Sequence, residues 1–269
     1  MNTNPSLIKN TLIRRRLSRK QKHFNLRGLL TADAVTMLCS FIEELDASPV
    51  FIHASMRSIG QVFGVDDGMD RFLDCFRGKF PTIMAPGFTP SFRKSGVFHV
   101  QFSRPEYGAF SELFLEHADG RTLDPIHSIL HIGDNPFGDG VTHDTFSPDG
   151  HFSTVNAIDS WIFNFGTPWF VSTQLHLIER LGGVRYINSK KFPGIVYVNE
   201  HEYFPVDHTN HGHTKGVTWN RFRIDKAIAQ LPSYRCVYLG SIPVQAVKSV
   251  QMTDALVARL SNDPYFLVR

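Results

Sequence analysis

The chain has 269 residues, of which 42% are hydrophobic and 20% charged, and its 23 Phe supply bulky apolar material for a sizeable core, which excludes a disordered or fibrous protein. The formal charge of +3 is concentrated at the front, where Arg14, Arg15, Arg16, Arg19, Lys20, Lys22 and Arg27 fall within 14 positions. No nucleic-acid motif or aromatic interleaving accompanies that run, so residues 1–30 read as a basic arm and no nucleic-acid partner is expected. No stretch of about 18 apolar residues occurs, and the start lacks the apolar core of a secretory signal, so no membrane span is expected and the cytoplasm is the default location. Cys39, Cys75 and Cys236 are odd in number and far apart, which suits neither a disulfide framework nor a cysteine zinc site.

The rest, 31–269, reads as one domain with cleft-forming insertions around 90–150 and 195–225. Residues 31–45 predict a helix: Thr31 suits the N-cap, Asp33 the first turn, and Val35, Leu38, Cys39, Ile42 and Leu45 form a stripe at helical spacing. A strand over 49–54 follows and opens into a loop at Ser55, then a helix begins at Gly68. The run 81–86 is a second strand opening into a Gly-containing loop, and strand, helix, strand in this order implies a parallel βαβ unit. Residues 90–148, rich in Gly, Pro, Asp and aromatics, read as loops with one helix near 107–117. A third unit pairs a strand over 160–165 with a helix over 173–182 closed by Gly182 and Gly183. Residues 195–204 suggest a strand or hairpin, 225–230 part of a helix, 235–240 a strand and 253–260 a closing helix. The expected fold is therefore α/β, with a central mixed, largely parallel sheet flanked by helices. The loops at Ser55, Thr89 and Thr167 should converge at the strand ends.

Four stretches, in order, carry a likeness: Val50-Phe-Ile-His-Ala-Ser-Met-Arg-Ser-Ile-Gly60, Met84-Ala-Pro-Gly-Phe-Thr89, Asp124-Pro-Ile-His-Ser-Ile-Leu-His-Ile-Gly133, and Phe165-Gly166 through Thr173-Gln-Leu-His-Leu-Ile-Glu179. Over residues 50 to 180 the chain resembles the aminoglycoside 3-N-acetyltransferases, the antibiotic N-acetyltransferase family. The resemblance implies that family's fold, acetyl-CoA or another acyl-CoA as donor, an amine of an amino sugar as acceptor, and direct transfer without an acyl-enzyme. It also implies catalytic roles for His127, His176 and Glu179. An ammonium must lose a proton before attacking a thioester, and a neutral imidazole is the natural base near neutral pH. His127 matches the family's His-Ser step, and His176 with Glu179 its His-x-x-Glu motif, a spacing that puts both on one helical face, where the carboxylate can orient an imidazole. The same resemblance places Ser55, Met56 and Arg57 beside the donor's pantetheine and phosphates, with Thr89 and Ser128 nearby.

The chain departs from the family pattern at Asp124-Pro125, where the family has His-Pro, and at Ser147-Pro-Asp-Gly-His-Phe152. Asp149 and His151 are the residues expected to contact substrate there in place of the family's own. The cluster His208-Thr-Asn-His211-Gly-His213 offers three imidazoles and so a zinc-hydrolase reading, but no His-Glu-x-x-His accompanies it; a polar loop is the expectation, with no metal. A non-catalytic CoA- or sugar-binding protein is the other competitor, and a homodimer stays open. The net charge and a sequence pI near 8.8 favour an anionic acceptor, such as a nucleotide-linked amino sugar, over a polycation, unless Asp144, Asp149 and Asp159 make the cleft locally acidic.

Overall fold

The computed structural model describes residues 31–269, so the basic arm lies outside the described residues. The first half runs α1 (Thr31–Glu43), β1 (Val50–Ala54), α2 (Met56–Phe63), α3 (Gly68–Asp74), β2 (Thr82–Pro86), α4 (Phe92–Ser95), β3 (Val97–His99), α5 (Ala109–Leu115), β4 (Gly120–Arg121) and β5 (Ile129–Gly133). The second half runs α6 (His151–Ala157), β6 (Trp161–Phe165), α7 (Gln174–Leu181), β7 (Ile187–Tyr197), β8 (Tyr203–His213), α8 (Arg221–Ile228), β9 (Arg235–Leu239), β10 (Ile242–Lys248) and α9 (Ser249–Asn262). Among the described residues no helix is long and apolar enough to cross a membrane.

Seven strands form one mixed sheet in the order β4-β5-β2-β1-β6-β10-β9, and β3-β7-β8 form a second. In the seven-stranded sheet only the three central strands are parallel, β1 pairing with β2 on one side and β6 on the other, while β3 pairs in parallel with β7 in the second sheet. The outer pairings are antiparallel, which corrects the expectation of a largely parallel sheet. The cause lies in the connections: β9 returns to β10 through a two-residue hairpin turn, where a parallel partner would need a crossover helix.

The period of two along the central strands divides the interior. Val50, Ile52, Phe163 and Phe165 point to a core closed by Leu38 and Ile42 of α1, Ile59 and Phe63 of α2 and Phe72 of α3. Phe51 and Ile162 point the other way, onto Phe152 of α6, Leu175 and Ile178 of α7, and Met252 and Leu256 of α9. A sheet buried on both faces needs strands that are apolar throughout, and β1, β2 and β6 read that way in sequence.

Several features differ from the sequence reading. Residues 90–148, expected as loops with one helix, also carry α4, β3, β4 and β5, because pairing of β5 with β2 and of β3 with β7 orders them. The segment after Ser55 is a helix: Ser55 caps it, its Oγ accepting from the Ser58 N–H at 3.4 Å, and Ile59, Val62 and Phe63 give it a buried stripe. The hairpin of β7 and β8 spans 187–213, far longer than the apolar run at 195–204, because eleven paired residues on each strand hold a segment whose start, Asn188-Ser-Lys-Lys191, has no apolar alternation. Cys39 and Cys75, remote in sequence, lie with their sulfurs 3.3 Å apart, and burial together with Cys39 pushes the Cys75 thiol up to about 12.

Candidate active site

The C-terminal ends of β2, β1 and β6 are neighbours, and their loops converge as expected. Ser55 N–H donates to the Phe165 carbonyl at 2.9 Å. Gly166, at φ +69°, packs so closely on Ser58 that a Cβ would collide with the serine side chain. Arg57 is exposed at the first turn of α2, where amide N–H groups have no intrahelical partner, while Met56 is half-buried against the core. Thr89 and Ser128 do not face this opening. Both are buried: the Thr89 hydroxyl donates to the Pro125 carbonyl at 2.8 Å, and the Ser128 hydroxyl donates to the Gly87 carbonyl at 2.6 Å and accepts from Arg121 Nε at 3.0 Å. They brace the β2 and β5 loops. Arg121 completes the brace by donating to the Val100, Ser103 and Gly87 carbonyls.

Asp124, which the family pattern marks as a departure, anchors the loop that carries His127. It is fully buried, and Oδ1 accepts from the backbone N–H groups of Ile126 at 2.9 Å and His127 at 2.6 Å, an Asx-type turn that fixes the direction of the chain after Pro125. Oδ2 accepts from the Thr145 hydroxyl at 2.6 Å, and His208 Nε2 lies 3.6 Å from Oδ1. Burial pushes this carboxyl up, but His208 first, then His127 and His151, hold it below the ordinary carboxylate value. His127 itself sits between the edges of Phe88 at 5.2 Å and Phe146 at 5.3 Å, with Nδ1 3.3 Å from Thr145 Oγ1. Burial drives its imidazole down to about 3, against the pull of Asp124, so the ring is neutral at physiological pH.

On the other side of Phe146, whose ring lies 5.5 Å from His176, stands a second imidazole–carboxylate group. His176 Nδ1 and Glu179 Oε2 are 2.9 Å apart on one face of α7, and His213 Nε2 of β8 lies 2.8 Å from Oε1. Glu179 is wholly buried; that raises its carboxyl, yet the hydrogen bonds from the two imidazoles hold it below its ordinary value. An ionised carboxylate only accepts, so both ring nitrogens facing it carry protons, and the neutral His176 tautomer keeps its lone pair on Nε2. Trp219 packs against both rings, at 5.1 and 4.5 Å.

The three histidines of β8 do not converge. His208 serves Asp124, His211 donates to Asp144 at 2.8 Å and bonds Ser189 at 2.7 Å, and His213 serves Glu179. A strand rises about 3.3 Å per residue, so side chains five apart reach separate partners, and the three-imidazole zinc reading fails. His151 is buried with Nε2 2.6 Å from the Thr142 hydroxyl and Phe137 edge-on, so it packs the interior where an acceptor contact was expected; Asp149 is exposed in the turn before α6. His127 and His176 thus lie on either side of Phe146, and Glu179 is bonded to His176. Thr145, His208, His213, Tyr186 and Trp219 join them without having been singled out as catalytic from the sequence. The readable signal was Asp124-Pro125 ahead of His127, an Asx-turn pattern.

The parallel centre of a mixed sheet opens beside imidazoles that are held by buried carboxylates. The profile of the family described as aminoglycoside 3-N-acetyltransferase matches residues 51–261, and the chain belongs to that family. It is therefore an N-acyltransferase with acetyl-CoA as co-substrate. The fold is shared with solved structures at low identity. An AAC-IIIb binary complex with CoASH is 17% identical with TM-score 0.66, covering 85% of this chain and 96% of that one. Aminoglycoside acetyltransferase AAC(3)-Xa is 15% identical with TM-score 0.69, covering 91% and 98%, and the YokD protein of Bacillus subtilis is 15% identical with TM-score 0.68, covering 86% and 93%. No curated protein sequence matches.

Proposed function

We propose that this enzyme acetylates an amine of an aminoglycoside-type amino sugar, with His176 as general base and Glu179 as the group that orients it. The observation that carries this is the 2.9 Å contact between His176 Nδ1 and Glu179 Oε2, which leaves Nε2 without a hydrogen bond among the described residues and the imidazole half-buried beside the cleft. As the amine attacks the thioester carbonyl, Nε2 takes its proton, and the Glu179 charge stabilises the imidazolium. The tetrahedral adduct then collapses with departure of the CoA thiolate. The resemblance gave the base role to His127. Burial holds its imidazole below its ordinary value and Nδ1 faces Thr145 Oγ1, which supports a neutral hydrogen-bonding role across Phe146.

The acceptor follows from charge and from relatives. Residues 1–30 hold eight of the 28 Lys and Arg and none of the 25 Asp and Glu, so residues 31–269 carry 20 basic against 25 acidic side chains, a net charge of −5. The preference for an anionic acceptor that the whole-chain charge of +3 suggests therefore reverses for residues 31–269, which favours a cationic amine. Solved neighbours include an AAC(3)-IVa complex with a gentamicin and AAC-VIa bound to sisomicin. Ser55 and Arg57, at the start of α2, are the donor-side residues that remain accessible to CoA phosphates. The test is CoA release, followed with a thiol reagent, from acetyl-CoA and a panel of aminoglycosides and nucleotide-linked amino sugars. Release dependent on an aminoglycoside supports the reading, and release with nucleotide-linked sugars alone rejects the acceptor. Turnover lost in His127→Ala but kept in His176→Ala rejects the base.

A further inference from the structure

We propose that His176, Glu179 and His213 form a zinc site, and that zinc bound there excludes the state in which His176 can act as a base. The second half rests on the assignment of His176 made above; the first does not. Each of the three side chains offers one ligand atom, and those atoms lie within 4.8 Å of one another. Two imidazoles and one carboxylate are a zinc donor set with an open fourth position, whereas magnesium and calcium take oxygen ligands. The carboxylate is fully buried while the His176 and His213 side chains stay 25% and 14% exposed, so an ion reaches the ligands from the cleft side.

The surroundings of the three ligands are apolar. The Tyr186 side chain is buried beside the Glu179 carboxylate, and burial and that carboxylate push its phenol up. Its ring lies 5.7 Å from that of His213. Trp219 against both imidazoles provides the apolar wall that raises affinity at such sites.

The exclusion follows from the atom used. In the metal-free state His176 Nδ1 carries a proton to Glu179 and the lone pair sits on Nε2. Zinc takes a lone pair on Nδ1, so the neutral ring must carry its proton on Nε2, and the atom that would accept a proton from the amine is blocked. No proton is gained or lost in the exchange: the two rings change tautomer and the metal replaces two hydrogen bonds. Zinc and base competence are therefore alternatives at one imidazole.

The experiment uses the full chain stripped with a chelator and titrated with zinc alone against a chromophoric competitor, and with cobalt(II) to read the visible absorption of a four-coordinate site. The expected result is one zinc per chain, a tetrahedral cobalt spectrum, and affinity at least about tenfold weaker in His213→Ala. Zinc should suppress CoA release in the parent, with recovery on adding EDTA, and suppress the residual release of His213→Ala only at correspondingly higher zinc. Absence of stoichiometric binding and of the cobalt spectrum in the parent overturns the site, whatever the variants do, and leaves the base assignment to its own test. Stoichiometric zinc with undiminished CoA release overturns the exclusion.

Discussion

Glu179→Gln keeps the volume of the side chain and turns one carboxylate oxygen into an NH2 group. In the parent, Oε2 and Oε1 each accept a ring N–H, from His176 at 2.9 Å and His213 at 2.8 Å. The amide has one oxygen for two donors, so one imidazole must change tautomer to accept from the NH2. If His176 changes, its proton moves to Nε2 and the base is lost; the corresponding tautomer error in serine proteases costs about 10⁴-fold. If His213 changes, His176 keeps its tautomer but loses the charge that stabilises the imidazolium. A hydrogen bond to a charged group is worth about 1.5–3 kcal/mol, or about 10- to 150-fold in rate. The expected loss in kcat therefore lies between about 10-fold and 10⁴-fold, with KM for acetyl-CoA little altered, because the donor site proposed at Ser55 and Arg57 lies on a different element. Initial rates of CoA release give both constants, and a thermal melt confirms that the fold survives. Turnover of Glu179→Gln within about threefold of the parent would refute the His176–Glu179 assignment.

Asp124→Ala leaves two backbone N–H groups and His208 without their buried partner and should cost about 3–5 kcal/mol of stability in urea unfolding, with Asp124→Asn, which still accepts the two N–H bonds, costing less. Arg57→Ala, at an exposed site, should raise KM for acetyl-CoA severalfold while leaving the melting temperature unchanged. Gly166→Ala combines a positive φ with a collision at Ser58 and should lose about 1–3 kcal/mol by the same urea measurement. His53 and His127 are each lowered from 6.5 to about 3, mainly by burial, so below pH 6.5 the unfolded chain binds protons that the folded chain refuses. Stability should then fall with pH between 6.5 and about 3, by about 1.4 kcal/mol per unit for each group. A urea midpoint that stays flat from about pH 7 to about pH 5 would contradict this, and His53→Phe should remove its share of the slope.

Local rules were enough for some features. Apolar strands at 50–54, 82–86 and 161–165 and the amphipathic helices at 31–43 and 174–181 follow from periodicity, and a spacing of three on α7 places His176 beside Glu179 without further information. Four motifs in register identified the family before any coordinate did. Other features depended on contacts between residues far apart in the chain. The hairpin at 187–213 reads as weakly patterned because its start is held by pairing and not by burial, yet it delivers a different histidine to each of Asp124, Asp144 and Glu179. Thr89 and Ser128 carry hydroxyls that suit a ligand as well as a loop, and only the packing of the β2 loop on the β5 loop shows which carbonyls they bond. Sequence spacing determines which residues share an element and a face, because helix and strand periods are local. Which imidazole keeps a free lone pair depends on the donors and acceptors around it, and those are assembled only when β8 reaches α7 and the Asp124 loop.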